Sequence, residues 1–421
     1  MRLANPLTGA VLGATLLAGT ACERPICLPG TQRATSGHYA EAAINAPLKD
    51  EWCQYVDENG APVRHGRFVS WHVNGELHES LRYDRGTPHG WKTTWYPNGT
   101  KQEMGYWEQG VRRGTWRRWS EKGQPSLEQE FRDGRPSGRE RAWHENGELA
   151  QEGIWLDGRR EGIWTRWHDN GQLSRRIAYE SERPKGREVT WYPNGQIESE
   201  GEWQNGERVG VWVRYHANGH KQSQQRYENG QLNGVETSWY ETGEKQLEGS
   251  WQEGLQQGHW TRWYPTGTKE WEGDWNANQQ QGVWVKWYQS GQKAEEGSWH
   301  EDKQHGVGAQ WYENGQKKVE MGYVHGEPHG VDLAWYENGQ LKHEGKWKDG
   351  REDGVWKNWY RTGRPWRERH YTGGKQHGVE VAWDENGKEW LKKEWRDGKE
   401  IASRTYDQPS GPVERGSFSL R

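Results

Sequence analysis

The chain is short of the aliphatic side chains that fill ordinary protein cores. Its 421 residues include only 3 Phe and 3 Met, and Leu, Ile and Val are also scarce. A chain of this length would usually form two or three conventional domains, but this aliphatic content is too low to give each of them a core. The bulk composition alone is typical of disordered proteins.

An excess of charge of one sign is also lacking. The 57 basic and 61 acidic side chains give a formal net charge of -4. This balance provides no bulk attraction to phosphate backbones or to anionic lipid. We therefore expect no nucleic-acid partner, and contact with a membrane only through a lipid anchor.

Cysteine is scarce as well, with 3 in the whole chain, at Cys22, Cys27 and Cys53. These residues show no CxxC spacing and no histidine pair at zinc-finger spacing, so we expect no metal site and no cofactor. If Cys22 carries lipid, Cys27 and Cys53 remain as an even pair that an oxidising compartment would allow to form a disulfide. Otherwise one thiol is left over.

The N-terminus has the pattern of an export signal. Arg2 leads into an apolar run from Leu7 to Leu17 that is too short to span a membrane, and small residues follow up to Ala21 and Cys22. Residues 1–21 are therefore predicted to be a signal peptide. The segment from Gly19 to Cys22 resembles a lipoprotein cleavage box, which would place lipid on Cys22, although such boxes usually have Leu where Gly19 stands. An ordinary cut after Ala21 is the alternative. We interpret the chain as exported and lipid-anchored at the cell envelope, in the periplasm or at the outer membrane.

Aromatic residues and glycine are abundant instead, with 32 Trp, 18 Tyr and 57 Gly. Each large ring buries roughly 150 to 250 Å², so we expect order to come from rings. The stretch WYENGQ occurs at Trp311 and again at Trp335, and its Trp, taken as position 0, recurs every 24 residues in fourteen copies from Trp71 to Trp383, with Tyr215 in one of them. Every copy has Gly at +4 and at -5, and an aromatic residue at +12.

Each copy has the pattern of a β-hairpin. Residues alternate in polarity up to Trp167, and Asn170-Gly171 is predicted to supply the positive φ angles of a tight turn. A second strand then runs to a second turn, for which Asp157-Gly158 in the copy of Trp143 is an example. A lone hairpin is marginal in water, but neighbouring hairpins can bury their aromatic faces against each other.

The predicted fold is therefore all-β: an elongated array of about fourteen 24-residue hairpins that form one long twisted antiparallel sheet over residues 61–399. Residues 22–60 are predicted to be a linker that contains cysteines, and residues 400–421 a polar tail.

The repeat pattern W-Y-x-N-G-Q, followed by E-G-x-W and x-D-G-x-x-x-G, resembles the MORN-variant repeat of the YwqK-type antitoxin-like family. The resemblance covers about Ala61 to Lys399 and implies a MORN-like fold. Arrays of this type serve as scaffolds, as lipid-proximal modules and as supposed antitoxins. An export signal is not what a cytoplasmic antitoxin needs.

A finer pattern alternates over 48 residues at positions -3 and -1, which share one face of the strand. One hairpin type has Trp and a cation there, and the other has Glu and a small residue. The Trp and Arg residues of the first type are Trp116, Arg118, Trp164, Arg166, Trp212, Arg214, Trp260 and Arg262.

We expect Gly153 to make room for a contact between Trp155 and Trp164, with Arg166 over a ring face. In the Glu type, a Tyr hydroxyl is expected near the carboxylate, as for Tyr179 before Glu188. Two interpretations of this alternation stay open. In the first, the alternation reflects packing alone. In the second, it provides a strip of Trp and Arg that binds sugar rings or a partner surface.

The sequence contains no G-x-S-x-G, HExxH or P-loop motif. Fourteen near-equivalent copies also provide no single cleft in which two carboxylates would acquire different pKa values. Histidines that precede the Gly at -5 are interpreted as turn residues. We predict a protein that is not an enzyme, a repeat scaffold or binding protein at the bacterial cell envelope that uses its sheet surface for contact with another protein. The alternatives are an antitoxin or immunity protein that neutralises a partner toxin, and a surface protein that binds glycans.

Overall fold

The structure, a computed structural model, describes residues 27–37 and 49–406. The predicted signal peptide, Cys22 and residues 407–421 lie outside these ranges. The described residues contain 36 strands, all in antiparallel sheet, and no helix. The chain divides into two compact units. The described residues of the first unit are 27–37, 49–173 and 179–182, and those of the second are 174–178 and 183–406.

The first unit contains the N-terminal hairpins. Its strands are β1 (Gln32–Thr35), β2 (Asp50–Val56), β3 (Pro62–Trp71), β4 (Leu77–Asp84), β5 (Thr87–Pro88), β6 (Gly90–Trp95), β7 (Lys101–Glu108), β8 (Val111–Trp119), β9 (Pro125–Arg132), β10 (Arg135–Trp143), β11 (Leu149–Leu156) and β12 (Arg159–Trp167).

The boundary between the units falls within β13 (Leu173–Glu180). The remaining strands belong to the second unit: β14 (Arg183–Trp191), β15 (Ile197–Gln204), β16 (Glu207–Tyr215), β17 (Lys221–Glu228), β18 (Gln231–Leu232), β19 (Gly234–Trp239), β20 (Lys245–Gln252), β21 (Leu255–Trp263), β22 (Lys269–Asn276), β23 (Gln279–Trp287), β24 (Lys293–His300), β25 (Lys303–Gln304), β26 (Gly306–Trp311), β27 (Lys317–Val324), β28 (Glu327–Trp335), β29 (Leu341–Lys348), β30 (Arg351–Glu352), β31 (Gly354–Trp359), β32 (Pro365–Thr372), β33 (Lys375–Gln376), β34 (Gly378–Trp383), β35 (Glu389–Arg396) and β36 (Lys399–Thr405).

The repeat hairpins share one antiparallel register, seen from β3 with β4 to β34 with β35. In β8 and β9, for example, Trp116 pairs with Gln129 and Arg118 with Leu127, and the register shifts between Arg118 and Trp119. This bulge adds one residue to the second strand and increases the local twist. The predicted all-β class, built from antiparallel 24-residue hairpins, is confirmed.

The two turns of each repeat have different backbone conformations. In the second turn both residues are left-handed, as at Asp157 (φ 51°) and Gly158 (φ 82°). In the first turn Gly171 is left-handed (φ 80°) but Asn170 is not, so the prediction of two positive φ angles there is wrong. The Asn170 side chain instead accepts a hydrogen bond from the Gln172 N–H at 3.1 Å, which favours the turn by a local contact.

The sheet extends beyond the predicted limits of the array at both ends. Strands β1 and β2 lie within the predicted linker, and β36 runs into the predicted tail as far as Thr405. Cys27 and Cys53, the pair considered from the sequence, are joined by a disulfide. The Arg33 guanidinium on β1 pairs with the buried Glu51 carboxylate on β2 at 2.5 Å. These links join β1 and the segment before it to β2, which pairs with β3 of the first repeat.

Nothing helical in the described part of the chain has the length and apolarity that a membrane crossing needs.

Candidate binding faces

Tryptophan pairs line one face of the sheet. We call it the indole face, and it carries positions -3, -1, +10 and +12. Position -3 pairs with +10 across the hairpin, as Trp116 does with Gln129. The indole at +12 meets the indole at -3 of the next repeat edge to face, with interplanar angles of 86 to 89°. The pairs, 5.1 to 5.4 Å between centroids, are Trp107–Trp116, Trp155–Trp164, Trp203–Trp212, Trp251–Trp260, Trp275–Trp284 and Trp347–Trp356.

Glycine at +10 makes this packing possible. The indole of Trp164 lies flat on Gly153, where an added Cβ would fall 2.2 Å from a ring carbon. The expected contact between Trp155 and Trp164 is therefore present, at 5.2 Å between ring centroids. The same close approach recurs at Gly105, Gly201, Gly249, Gly273 and Gly345, with Cβ-to-ring distances of 2.0 to 2.4 Å.

Changing Gly153 to alanine is expected to destabilise the protein by about 1 to 3 kcal/mol, because the methyl group would overpack a buried ring. Thermal unfolding followed by far-UV circular dichroism measures the effect. The matched control is Gly297→Ala at the same position of another repeat, where the added Cβ would find nothing nearer than 3.8 Å. Equal melting curves for the two variants would contradict this role of Gly153.

The cation over the ring comes from a different position than predicted. Arg166, at -1, donates from Nε to Gln151 Oε1 at 2.7 Å, so its placement over a ring was wrong. Arginine at -7 takes that place. The guanidinium carbon of Arg112 lies 4.3 Å from the Trp116 ring centroid, and that of Arg208 lies 4.5 Å from Trp212. This long side chain reaches along its own strand to the ring four residues further on and covers it.

The carboxylate of the alternate hairpin type binds an indole N–H. Trp155 Nε1 donates to Glu140 at 2.7 Å, and Trp203 Nε1 donates to Glu188 at 2.6 Å. The same bond reaches Glu236 from Trp251, Asp332 from Trp347 and Glu380 from Trp395. Glu188 also accepts from Arg175, whereas the hydroxyl of Tyr179 accepts from Arg160. The expected contact between the Tyr hydroxyl and the carboxylate was therefore wrong.

The predicted strip of Trp and Arg is split between core and surface. Trp116, Trp164, Trp212 and Trp260 are only 1 to 7% exposed, so these rings pack and do not present their faces to a ligand. The arginines are accessible, with side-chain exposures of 50% for Arg118, 59% for Arg214 and 44% for Arg262. Binding through this strip stays a prediction, and it concerns the arginines alone.

The opposite face carries positions -4, -2 and 0, and we call it the valine face. In consecutive repeats of the second unit, the Lys ammonium at +6 lies over the position-0 ring of the next repeat. Lys293 Nζ is 5.2 Å from the Trp311 centroid and 2.5 Å from the Glu296 carboxylate, and Lys245 is placed in the same way on Trp263 and Glu248. These partly exposed pairs contribute little each, but they hold lysines on the rings.

A row of exposed valines runs beside these rings at position -4. They lie in the second unit and are 39 to 57% exposed: Val211, Val235, Val283, Val307, Val355 and Val379. Scattered single apolar residues on a surface are normal, but contiguous apolar patches mark interaction sites. The valine row is the apolar surface that the repeats present periodically.

One edge of the array is held by side chains of the first turn. The Tyr312 hydroxyl donates to the Trp335 carbonyl, and Asn314 Nδ2 donates to the Glu337 carbonyl, both at 2.9 Å. These bonds, 23 residues apart, recur along the array, with His in place of Tyr at His216. This role was not predicted from the sequence, although its signal is present there as the Tyr or His at +1 and the Asn at +3 of the repeat.

The other edge uses the residue before the Gly at -5. The predicted turn histidines lie there, and His65 Nδ1 accepts the Arg85 N–H of the next turn at 3.2 Å. Glu161 and Gln257 accept the corresponding N–H of Ser181 and Ala277. Within residues 27–37 and 49–406, no group of three or more His, Cys, Asp or Glu side chains is placed to hold a metal ion.

Shifted pKa values on these faces have causes in packing. A hydrogen bond from Arg187 lowers the pKa of the Glu200 carboxyl, and burial raises the pKa of the Tyr215 hydroxyl that donates to Glu200. Burial also raises the pKa of Tyr323 and lowers that of His78. These groups take part in hydrogen-bonded packing within the sheet.

Comparison with protein families supports a MORN-repeat protein. A family described as MORN repeat variant matches residues 160–180, 184–205, 208–231, 304–325 and 328–349. Each of these segments follows the hairpin period described above. The matches concern the repeat alone, and the narrower antitoxin-like family stays a prediction.

The curated proteins contain no match to this chain. Among solved structures, "Crystal Structure of TcdB2-TccC3" is similar at 10% identity and a TM-score of 0.14, over 85% of this chain and 25% of that one. "Crystal Structure of TcdB2-TccC3-Cdc42" is similar at 10% identity and a TM-score of 0.14, over 83% and 24%. The chain thus spans about a quarter of the length of these structures, and TM-scores this low do not inform its fold or function.

Proposed function

We propose, from the MORN-type repeats and their exposed valine row, that the protein is a non-enzymatic scaffold that holds a protein partner at the bacterial cell envelope. The repeats provide a regular surface with many similar positions, which suits extended contact with a macromolecule. We assign the contact to the valine face of the second unit.

The valine row is the observation that carries this assignment. Val235, Val283 and Val307 are each more than half exposed, although burying an aliphatic side chain is favourable by about 1.5 to 3 kcal/mol. Protein interfaces have an apolar centre and a polar rim. The lysines over the position-0 rings and the glutamates at +9 would supply such a rim beside the valines.

The envelope location rests on the export signal and on Cys22, which lies outside the described residues. Lipid on Cys22 would tether the array through the residues before its first strands. Treating cells with globomycin, which blocks lipoprotein processing, is expected to make the unprocessed precursor accumulate. A precursor that matures normally under globomycin would favour the ordinary cut after Ala21 and remove the anchor.

Capture from an envelope extract tests the valine face. The mature chain and a Thr242→Lys, Gln289→Lys control, which adds the same charge at exposed turn positions, are expected to retain the same protein. A Val283→Lys, Val307→Lys variant should lose it while keeping its melting curve. Equal retention by all three baits, or no specific protein with the unchanged chain, would count against this function.

The second function is an antitoxin or immunity protein that occludes a partner toxin. The repeat resemblance favours it and the export signal does not, so a chain found only in the cytoplasm would raise it above the scaffold. Glycan binding through the tryptophans has less support, because the rings at position -3 are buried. A glycan array without a binder would remove it.

A further inference from the structure

One copy of the indole face lacks its ring. In the other copies that have Gly at +10, the residue at -3 of the following repeat is Trp, as for Gly153 and Trp164. The exception is Gly297, which is followed at this position by Gly308. This copy has the glycine on which the indole would lie but lacks the indole.

No ring lies over Gly297, and an added side-chain carbon would fit there at ordinary contact distances, although the glycine itself is buried. A Cβ added there would lie 3.8 Å from Trp299 Nε1 and 4.0 Å from the Gly308 Cα, whereas in the complete copies it would meet a ring at 2.0 to 2.4 Å. A pocket occurs at this copy. It is lined by Gln280, Trp284, Lys286, Glu295, Gly297 and Trp299.

The pocket has aromatic walls and a polar rim. The Trp284 indole is buried and packs against Trp275, while Trp299 is only partly buried. Lys286 Nζ and the Glu295 carboxylate form an ion pair at 3.1 Å and are partly exposed. A ring that entered here would contact indoles and have a carboxylate close by.

The geometry points to a second binding site, in which this pocket receives one tryptophan side chain of another protein. The other copies of the repeat indicate the occupant. In six other copies the group that lies on the +10 glycine, edge to face with the +12 indole, is an indole. The chain also binds indole N–H groups with carboxylates at 2.6 to 2.8 Å, and Glu295 offers a carboxylate at the rim.

The site goes beyond the proposed scaffold contact, because it lies on the indole face and the valine row lies on the opposite face. A scaffold with both sites would hold one protein on each face. Tryptophan is also the side chain most enriched among the residues that dominate binding energy at interfaces.

Gly308→Trp tests the site by supplying the missing ring within the chain. Gly308 is not left-handed, and a Cβ there would have ordinary contacts of 3.7 to 3.9 Å with Glu296, Met321 and Tyr323. The variant is expected to melt a few degrees higher, because it buries an additional ring. A lower melting midpoint would show that the space does not fit an indole and would overturn the site.

The binding probe is N-acetyl-5-fluoro-L-tryptophanamide, whose blocked ends imitate a residue within a protein. Its ¹⁹F signal is expected to broaden with the unchanged chain and with Gly308→Ala, and to stay sharp with Gly308→Trp. Broadening that persists in Gly308→Trp, or is absent with the unchanged chain, would overturn the site. Tighter binding of free 5-fluorotryptophan than of the blocked probe would assign the pocket to the amino acid and also overturn it. Neither result depends on capture at the valine face, so the two proposals can fail separately.

Discussion

Replacing Trp260 by alanine is expected to lower the free energy of unfolding by about 3 to 5 kcal/mol, the usual cost of deleting a buried Trp. Trp260 is 1% exposed, lies on Gly249 and packs edge to face with Trp251 at 5.4 Å. The array has few aliphatic side chains that could collapse into the cavity. Urea unfolding followed by far-UV circular dichroism measures the loss.

The control for Trp260 is Trp91→Ala on the valine face. Trp91 is 55% exposed, so its removal is expected to cost less than about 1 kcal/mol. Because each repeat contacts only its neighbours, amide hydrogen exchange in Trp260→Ala should increase first in the adjacent strands. If Trp260→Ala unfolds at the same urea concentration as the unchanged protein, rings at position -3 are not the core.

Glu380→Ala is expected to lower the free energy of unfolding by about 2 to 3 kcal/mol. This is somewhat less than the cost of breaking a fully buried ion pair, because one partner reaches water. Glu380 is 1% exposed and accepts hydrogen bonds from Arg367 Nε at 2.6 Å and Trp395 Nε1 at 2.7 Å. Its removal leaves a guanidinium and an indole N–H without this acceptor, while the Arg367 side chain is 33% exposed.

Thermal unfolding at neutral pH measures the effect of Glu380→Ala, and Glu248→Ala is its control. Glu248 pairs with Lys245 at 2.7 Å, but both side chains are more than 40% exposed, so we expect a loss below about 1 kcal/mol. A similar small loss for both variants would mean that the carboxylate at -3 is not structural.

Much of the indole face could be predicted from residue spacing. The register of a hairpin follows from its length and turn, and alternation then decides which positions share a face. Gly153, Trp155 and Trp164 were placed together in this way. Spacing does not decide which of several long side chains reaches a given ring, so Arg112 was overlooked above Trp116 and Arg166 was favoured wrongly in its own repeat.

Burial was the other quantity that spacing could not supply. A sheet face can be solvated or covered, and the sequence pattern of Trp116 and Arg118 is the same in both cases. Rings from the neighbouring strands and the guanidinium of Arg112 cover Trp116. This coverage removed the tryptophans from the predicted binding strip and left the arginines exposed.

The sequence by itself determined the 24-residue period, the hairpin unit, the all-β class and the glycine-indole contact, because each depends on residues that are close along the chain or related by strand register. Only the tertiary structure decided which rings are buried, which cations and carboxylates bind them, and that a pocket forms at Gly297 where no indole covers it. Those outcomes depend on side chains from neighbouring repeats that compete for the same space, and a one-dimensional pattern does not record which of them occupies it.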